Sequence, residues 1–339
     1  MRLPAALLAL VFAAATAFSA SAAPTASVSG VDSIVIPVSD MGRAVAFYTD
    51  VLDFRVVSDV EAAGSDYEHL LGVFGARIRV VRLQLGSEAI DLLEFLAPRG
   101  RPLPPDLRSN DRAFQHVAII VSDMDKAYAW LRQKHVEHAS TGPQLLPDWN
   151  PNAGGISAFY FRDSEGNFLE ILHFPPGKGA ARWQANGALF LGIDHTAIVV
   201  ADTEASLDYY RDLLGLTVVG ESENYGTEQE HLNNVFGARL HITALRASAG
   251  PGVELLEYLT PRTGRPIPVD SQANDRWYWQ INFSAAQPES IFERLRAAHT
   301  TLVSPHVVTL STTALGLSRG FVARDPDGHA AAIATTPSP

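Results

Sequence analysis

The chain contains no cysteine and 11 histidines in 339 residues. Any metal chemistry it performs must therefore use imidazole, carboxylate and water. Disulfides, thiolate nucleophiles and cysteine-ligated clusters are excluded on the same ground. Neutral imidazoles and carboxylates together suit Zn²⁺, Ni²⁺, Co²⁺, Mn²⁺ or Fe²⁺. A metal held that way acts as a Lewis acid toward a substrate oxygen, and a nearby carboxylate can serve as general base. His116, in Gln115-His116-Val117-Ala118, and His195, in Ile193-Asp194-His195-Thr196, lie within strand-like apolar runs. A lone strand histidine is more often a core or hydrogen-bonded residue than a ligand. The chemistry thus depends on which elements carry these residues and what those elements bring beside them.

The elements are repeated. Glu68-His69-Leu70 returns as Glu230-His231-Leu232, and Val73-Phe74-Gly75-Ala76-Arg77 as Val235-Phe236-Gly237-Ala238-Arg239. Leu92-Leu93-Glu94 returns as Leu255-Leu256-Glu257, and Asn110-Asp111-Arg112 as Asn274-Asp275-Arg276. The order is kept and the offset stays between 162 and 164 residues. The two copies span 30–175 and 191–336, and Pro175-Pro176-Gly177-Lys178-Gly179 opens a stretch, 176–190, that reads as a linker. Each copy repeats again at a weaker level. A strand at Val31–Val38, a helical pattern at Met41–Leu52 and further strands to Phe95 make one module. A strand at Phe114–Val121, a helical pattern at Met124–His135 and two closing strands make the next. Asp163-Ser164-Glu165-Gly166 and Asp325-Pro326-Asp327-Gly328 suit tight hairpins, with glycine free to take positive φ.

Composition narrows the function classes. Apolar content is 47% and charged content 19%, a globular mix with enough material for two cores. The formal net charge of −11 lacks the basic footprint of nucleic-acid binding, and it disfavours adhesion to anionic membranes. Residues 1–22 read as a signal peptide. Arg2 precedes an apolar, alanine-rich run, and Ala20-Ser21-Ala22 is a small-x-small cleavage pattern. The run is too short for a comfortable span of about 20 residues. The expectation is an exported monomer, periplasmic or secreted, free of the membrane after cleavage, with a small-molecule substrate.

The chain resembles the vicinal oxygen chelate superfamily, also called the glyoxalase/bleomycin-resistance/dioxygenase family. The residues that carry the resemblance are Val38-Ser39-Asp40 leading into Ala46-Phe47-Tyr48 and Val51-Leu52. Their second-copy counterparts are Val200-Ala201-Asp202, Asp208-Tyr209-Tyr210 and Leu213-Leu214-Gly215, and the Asp-Pro-Asp-Gly turn is a further match. The resemblance implies an α+β fold of four βαβββ modules forming two curved, partly open barrels, with a divalent metal inside a barrel. It also implies a ligand position on the first and last strand of each module. Module one has Ser33 and Asp91 there, module two His116 and Glu170, module three His195 and Glu254, and module four Gln280 and Ala332.

Module four lacks both ligands and module one lacks its histidine. Pairing modules two and three makes one complete set, His116, Glu170, His195 and Glu254, and leaves modules one and four without a site. The ligand pattern therefore favours crosswise pairing and one divalent ion per chain. Glu170 and Glu254 are the candidates for general base. The implied activity is that of a metal-dependent, glyoxalase-like lyase or isomerase acting on a small oxygenated substrate. A non-haem iron dioxygenase built on His116, His195 and Glu170 is a second reading, and a metal-free binding protein a third. His69, His231 and the Asn-Asp-Arg strings recur in the depleted half and are expected to be structural. Glu94 and Glu257 lie three residues beyond the ligand positions, and strand alternation puts them on the opposite face. The loop 148–155 reads equally as a lid with Trp149 on the substrate or as an ordinary turn.

Overall fold

The computed structural model describes residues 26–184 and 187–336. The expected signal peptide, 1–22, lies outside the described residues. No described helix is long and apolar enough to cross a membrane.

Module one runs β1 (Gly30–Val38), α1 (Met41–Leu52), β2 (Arg55–Ala63), α2 (Ser65–Leu71), β3 (Arg77–Leu85) and β4 (Glu88–Ala97). Module two runs β5 (Gln115–Val121), α3 (Met124–Gln133), the short β6 (Glu137–His138) and β7 (Gln144–Leu145), then β8 (Ser157–Arg162) and β9 (Phe168–His173). Module three runs β10 (Phe190–Val200), α4 (Thr203–Leu207), which continues into a π-helical turn over Asp208–Leu213, β11 (Thr217–Tyr225), α5 (Thr227–Asn233), β12 (Arg239–Arg246) and β13 (Gly252–Thr260). Module four runs β14 (Gln280–Ser284), α6 (Pro288–Ala297), β15 (Val308–Thr309), β16 (Arg319–Arg324) and β17 (Ala330–Thr335). The aspartates of the repeated strand-to-helix motifs are helix caps. Asp40, Asp123 and Asp202 accept from the backbone N–H of Arg43, Lys126 and Ala205, each at 3.0 Å.

The modules pair crosswise. One sheet has the order β15-β16-β17-β14-β1-β4-β3-β2, joining modules four and one. The other has the order β11-β12-β13-β10-β5-β9-β8-β6, joining modules three and two, with β7 beside β8. At each seam the first strands of two modules run antiparallel, β1 with β14 and β10 with β5. Strand alternation then sorts the side chains. Ile34, Ile36 and Val38 of β1, with Val117, Ile119 and Val121 of β5, enter one large core shared by both sheets and the helices. The other face of each sheet lines the inside of a half-barrel.

Two reciprocal clasps hold the copies together. Arg101 of the first copy forks onto Asp275 of the second, Nε–Oδ1 2.9 Å and Nη2–Oδ2 2.6 Å. Arg265 of the second copy does the same to Asp111 of the first, its Nη2 2.6 Å from Oδ2. Both aspartates are buried, so these are bidentate, charge-assisted pairs of the stronger kind. This is the structural role of the two Asn-Asp-Arg strings.

Candidate metal centre

The antiparallel β5–β10 seam sets His116 opposite Ala197 and His195 opposite Ala118. Each histidine's own neighbour on the outer side supplies a glutamate. β9 runs parallel to β5 and carries Glu170 beside Ala118; β13 runs parallel to β10 and carries Glu254 beside Ala197. Small alanines at these two seam positions leave room for the four longer side chains to meet above the sheet.

They do meet. His116 Nε2 lies 3.2 Å from Glu170 Oε2, His195 Nε2 lies 3.7 Å from the same oxygen, and His195 Nε2 lies 3.3 Å from Glu254 Oε2. The donor atoms of His116, Glu170 and His195 all fall within 4.8 Å of one another. Donors bound about 2.0–2.2 Å from a common ion sit roughly 3.0–3.6 Å apart, so the spacing fits a shared cation. A second observation points the same way. His116 is 1% exposed, its Nδ1 has no hydrogen-bond partner, and its Nε2 makes no aligned hydrogen bond despite the nearby Glu170. A buried imidazole without partners is costly, and a cation would satisfy Nε2. The residues present fit a divalent metal.

His195 is braced from behind. Its Nδ1 lies 3.1 Å from Asp194 Oδ2, which also accepts from Arg246 Nη2 at 2.8 Å, while Asp194 Oδ1 accepts from Trp183 Nε1 at 2.9 Å. Neighbouring residues on a regular strand point to opposite faces. Here the β10–β5 register shifts between Ile193 and His195, and this bulge turns Asp194 and His195 to the same side. Burial alone would push His195 down, but Glu254, Asp194 and Glu170 around it raise it to about 9. Asp194 is held well below the usual carboxylate range by His195, Arg246 and Trp183, against its burial. Burial raises Glu254, His195 opposes this, and the nearby Glu170 and Asp194 add to it.

The four groups stand in a cavity of about 500 Å³, walled by Leu146, Ala153, Ile156, Leu172, Ile242 and Leu256 among others. The stretch 176–190, read from sequence as a linker, is partly built into this wall. Gly179, Ala180 and Arg182 line the cavity, and Ala181–Gln184 forms a 3-10 turn that buries Trp183. The loop 148–155 lies over β11 through Asn150, whose Nδ2 donates to Asn224 Oδ1 at 2.7 Å. Asn152 and Ala153 line the cavity. Trp149 instead stacks on Tyr225 with ring centroids 4.4 Å apart.

The other half-barrel is closed. Ser33 Oγ donates to Asp91 Oδ2 at 2.5 Å, and Gln280 Nε2 donates to Asn282 Oδ1 at 2.7 Å. The Asn282 amide nitrogen donates to Ser33 Oγ at 3.0 Å and to the Leu315 carbonyl at 3.4 Å. Asn282 stands opposite Ser33, where the other seam has Ala118 opposite His195. A side-chain amide thus stands where the other seam has only the methyl group of an alanine. Ala332 is buried beside it. Glu94 and Glu257 sit on the opposite face as expected, accepting from the backbone N–H of Met41 and Thr203 at 3.3 and 3.1 Å. His69 packs against His306, ring centroids 5.7 Å apart.

Asp194, Trp183, Arg246 and Asn282 were not picked out from the sequence. A signal for one of them exists: Asp32 recurs as Asp194 and each pairs with an arginine, but Arg82 stands at the register of Ala244, so the repeat does not point to Arg246.

The sequence matches the family described as the Glyoxalase/Bleomycin resistance protein/Dioxygenase superfamily twice, over residues 30–171 and 192–333. It is 33% identical over 150 residues to a 2-epi-5-epi-valiolone epimerase from Actinomyces sp., a match covering 42% of this chain and 79% of the relative. Glyoxalase I from Zea mays superposes with a TM-score of 0.59 at 14% identity, covering 90% of this chain and 92% of the maize enzyme.

Proposed function

Because the chain belongs to the Glyoxalase/Bleomycin resistance protein/Dioxygenase superfamily, we propose that it is a metal-dependent isomerase acting on a small oxygenated substrate by proton transfer. The observation that carries this reading is the convergence of two imidazoles and two carboxylates in one cavity. The epimerase named above supports the isomerase class over a lyase.

His116, Glu170, His195 and Glu254 would hold one divalent ion, Zn, Ni, Co, Mn or Fe. When bound, such an ion stabilises negative charge developing on a substrate oxygen. The chain's own part is to move the proton. Glu254 is the most open of the four, its side chain 25% exposed against 5% or less for the others. It is therefore the first choice to take a proton from a carbon next to a carbonyl. Glu170 is the second carboxylate available to return one. Asp194 holds His195 in place during this exchange, and the apolar wall limits access of bulk water.

The test is exchange in D₂O. The metal-loaded protein, offered small hydroxyketones, should incorporate deuterium at the carbon beside the carbonyl, and Glu254→Gln should slow this by about 10²- to 10⁴-fold. A dioxygenase is the second reading. It is favoured by the tight cluster of His116, Glu170 and His195, a two-histidine, one-carboxylate set suited to non-haem iron. Oxygen uptake by the iron-loaded protein with no deuterium exchange would overturn the isomerase reading. Export of the chain belongs to the same proposal, and N-terminal sequencing of protein from the producing cell should start at or near Ala23.

A further inference from the structure

Apart from the ring nitrogens of His116, one buried polar side-chain atom lining the cavity lacks a partner among the described residues. Gln229 of α5 is 2% exposed and lines the cavity. Its amide nitrogen donates to Asn233 Oδ1, and the Asn233 amide donates to the Tyr258 hydroxyl at 2.8 Å. Gln229 Oε1 meets no donor. Native interiors rarely leave such an atom unpaired unless a ligand or water completes it.

The other copy supplies a comparison. The matching residue there is Tyr67, in Tyr67-Glu68-His69-Leu70 against Gln229-Glu230-His231-Leu232. The Tyr67 ring is fully buried, and its hydroxyl donates to the Thr312 carbonyl at 2.9 Å. The half without ligands fills this position with a ring and satisfies it internally. The half with ligands leaves space and presents an unpaired amide oxygen at its edge.

Charge restricts the ligand further. The arginines lining the cavity are already paired. Arg246 Nη2 lies 2.8 Å from Asp194, while Arg182 binds Glu88 and lies 2.9 Å from Ser87 Oγ. Glu221 adds negative charge to the wall. A phosphate or carboxylate would have to compete for each arginine with a resident acid.

Resting on the isomerase reading, we propose that the substrate is an uncharged, hydroxylated carbonyl compound. A hydroxyl other than the oxygens facing the four candidate ligands donates to Gln229 Oε1. A hydroxyl suits this position because it can donate to the unpaired amide oxygen, which an analogue lacking that hydroxyl would leave unsatisfied.

The experiment uses the whole mature chain loaded with Co²⁺, whose visible spectrum reports ligand binding without turnover. The probes are 2-hydroxycyclohexanone and a pentahydroxycyclohexanone. The polyhydroxylated ketone should bind about tenfold more tightly, and Gln229→Leu should bring that ratio to about one with one cobalt still bound per chain. Gln229→Tyr, which installs the other copy's residue, should block both probes and keep the cobalt, and it serves if Gln229→Leu fails to fold. Fructose should bind at least as well as fructose 6-phosphate. An unchanged ratio in Gln229→Leu, probe binding retained in Gln229→Tyr, or tighter binding of the phosphate ester overturns this inference and leaves the isomerase reading intact. No spectral change with either cyclohexanone, cobalt being bound, refutes the isomerase reading and takes this inference with it.

Discussion

Asp194 and His195 are adjacent in sequence yet face the same cavity, with Oδ2 of the aspartate 3.1 Å from Nδ1 of the histidine. That contact fixes the ring so that Nε2 points at both glutamates. Asp194→Asn should weaken divalent-metal affinity about 10- to 100-fold, the usual cost of losing a carboxylate behind a histidine ligand. Trp183→Phe removes only the 2.9 Å bond to Asp194 and should cost a few-fold. Competition against a coloured chelator measures both, and wild-type affinity in Asp194→Asn would show that the brace is dispensable.

Elemental analysis at saturation should give about one transition-metal ion per chain. His116→Ala and His195→Ala should each lose most of the affinity, since two or three remaining donors make a weak site. Ser33→Ala and Gln280→Ala should still bind one ion, because Asn282 already fills their half-barrel. Two equivalent tight ions per wild-type chain would contradict this.

Glu254→Gln should keep the metal and lower turnover by about 10²- to 10⁴-fold, the range for a missing general base. The effect should fall on kcat with little change in KM. If Glu170→Gln shows that pattern and Glu254→Gln does not, the two roles are exchanged.

Burial pushes Asp91 up to about 6, with Arg82 and Ser33 opposing. Its folded pKa is above the unfolded value of about 3.9, so the folded state holds the proton more tightly. The associated stability is complete below about pH 4 and is lost as pH rises through about 6, up to about 3 kcal/mol in all. Asp91→Asn removes this term. Urea denaturation of both proteins at pH 4 and 7.5 should show the variant gaining on the wild type at the higher pH.

The surroundings of His329 favour its cationic form. Its Nδ1 lies 2.8 Å from Asp325 Oδ2 and its Nε2 lies 2.7 Å from the Arg112 carbonyl, two acceptors that together require both ring protons. Burial alone would lower its pKa, but Asp325 and Asp327 raise it. Stability from this group is full below about pH 6.5 and is lost as pH climbs through the raised folded value. The first copy has Asn167 here, donating to Asp163 at 3.0 Å. His329→Asn should therefore fold and should flatten the decline of Tm as pH rises above about 6.5.

Much of this was legible because strand chemistry is periodic. Repeated strings define two copies, the family resemblance supplies the ligand positions of the four modules, and alternation sets Glu94 and Glu257 on the opposite face. At the ligand positions that the resemblance implies, the uneven loss of histidines favours pairing modules two and three, which is the seam between β5 and β10. What stayed hidden depends on single-residue geometry. One bulged residue turns Asp194 inward, and alternation cannot anticipate it. Trp183 lies in a stretch whose prolines and glycines read as a tether, and only the fold places its ring nitrogen beside Asp194. Asn282 is apparent as a plug only once Ser33 is seen opposite it. The sequence allows Trp149 as a substrate contact, but Tyr225 offers it an aromatic partner outside the cavity.

The crosswise seams also decide how the chain melts. Each copy places one of its two modules in either sheet, so neither copy can open without breaking both β1–β14 and β5–β10. The sequence is a tandem repeat, yet its unit of cooperativity is the whole chain. Calorimetry should find one transition with equal calorimetric and van't Hoff enthalpies, where two beads on a string would give two. The many pairings between distant segments should also make refolding slow. A protease cut between the copies should leave the two fragments associated until the chain unfolds as one.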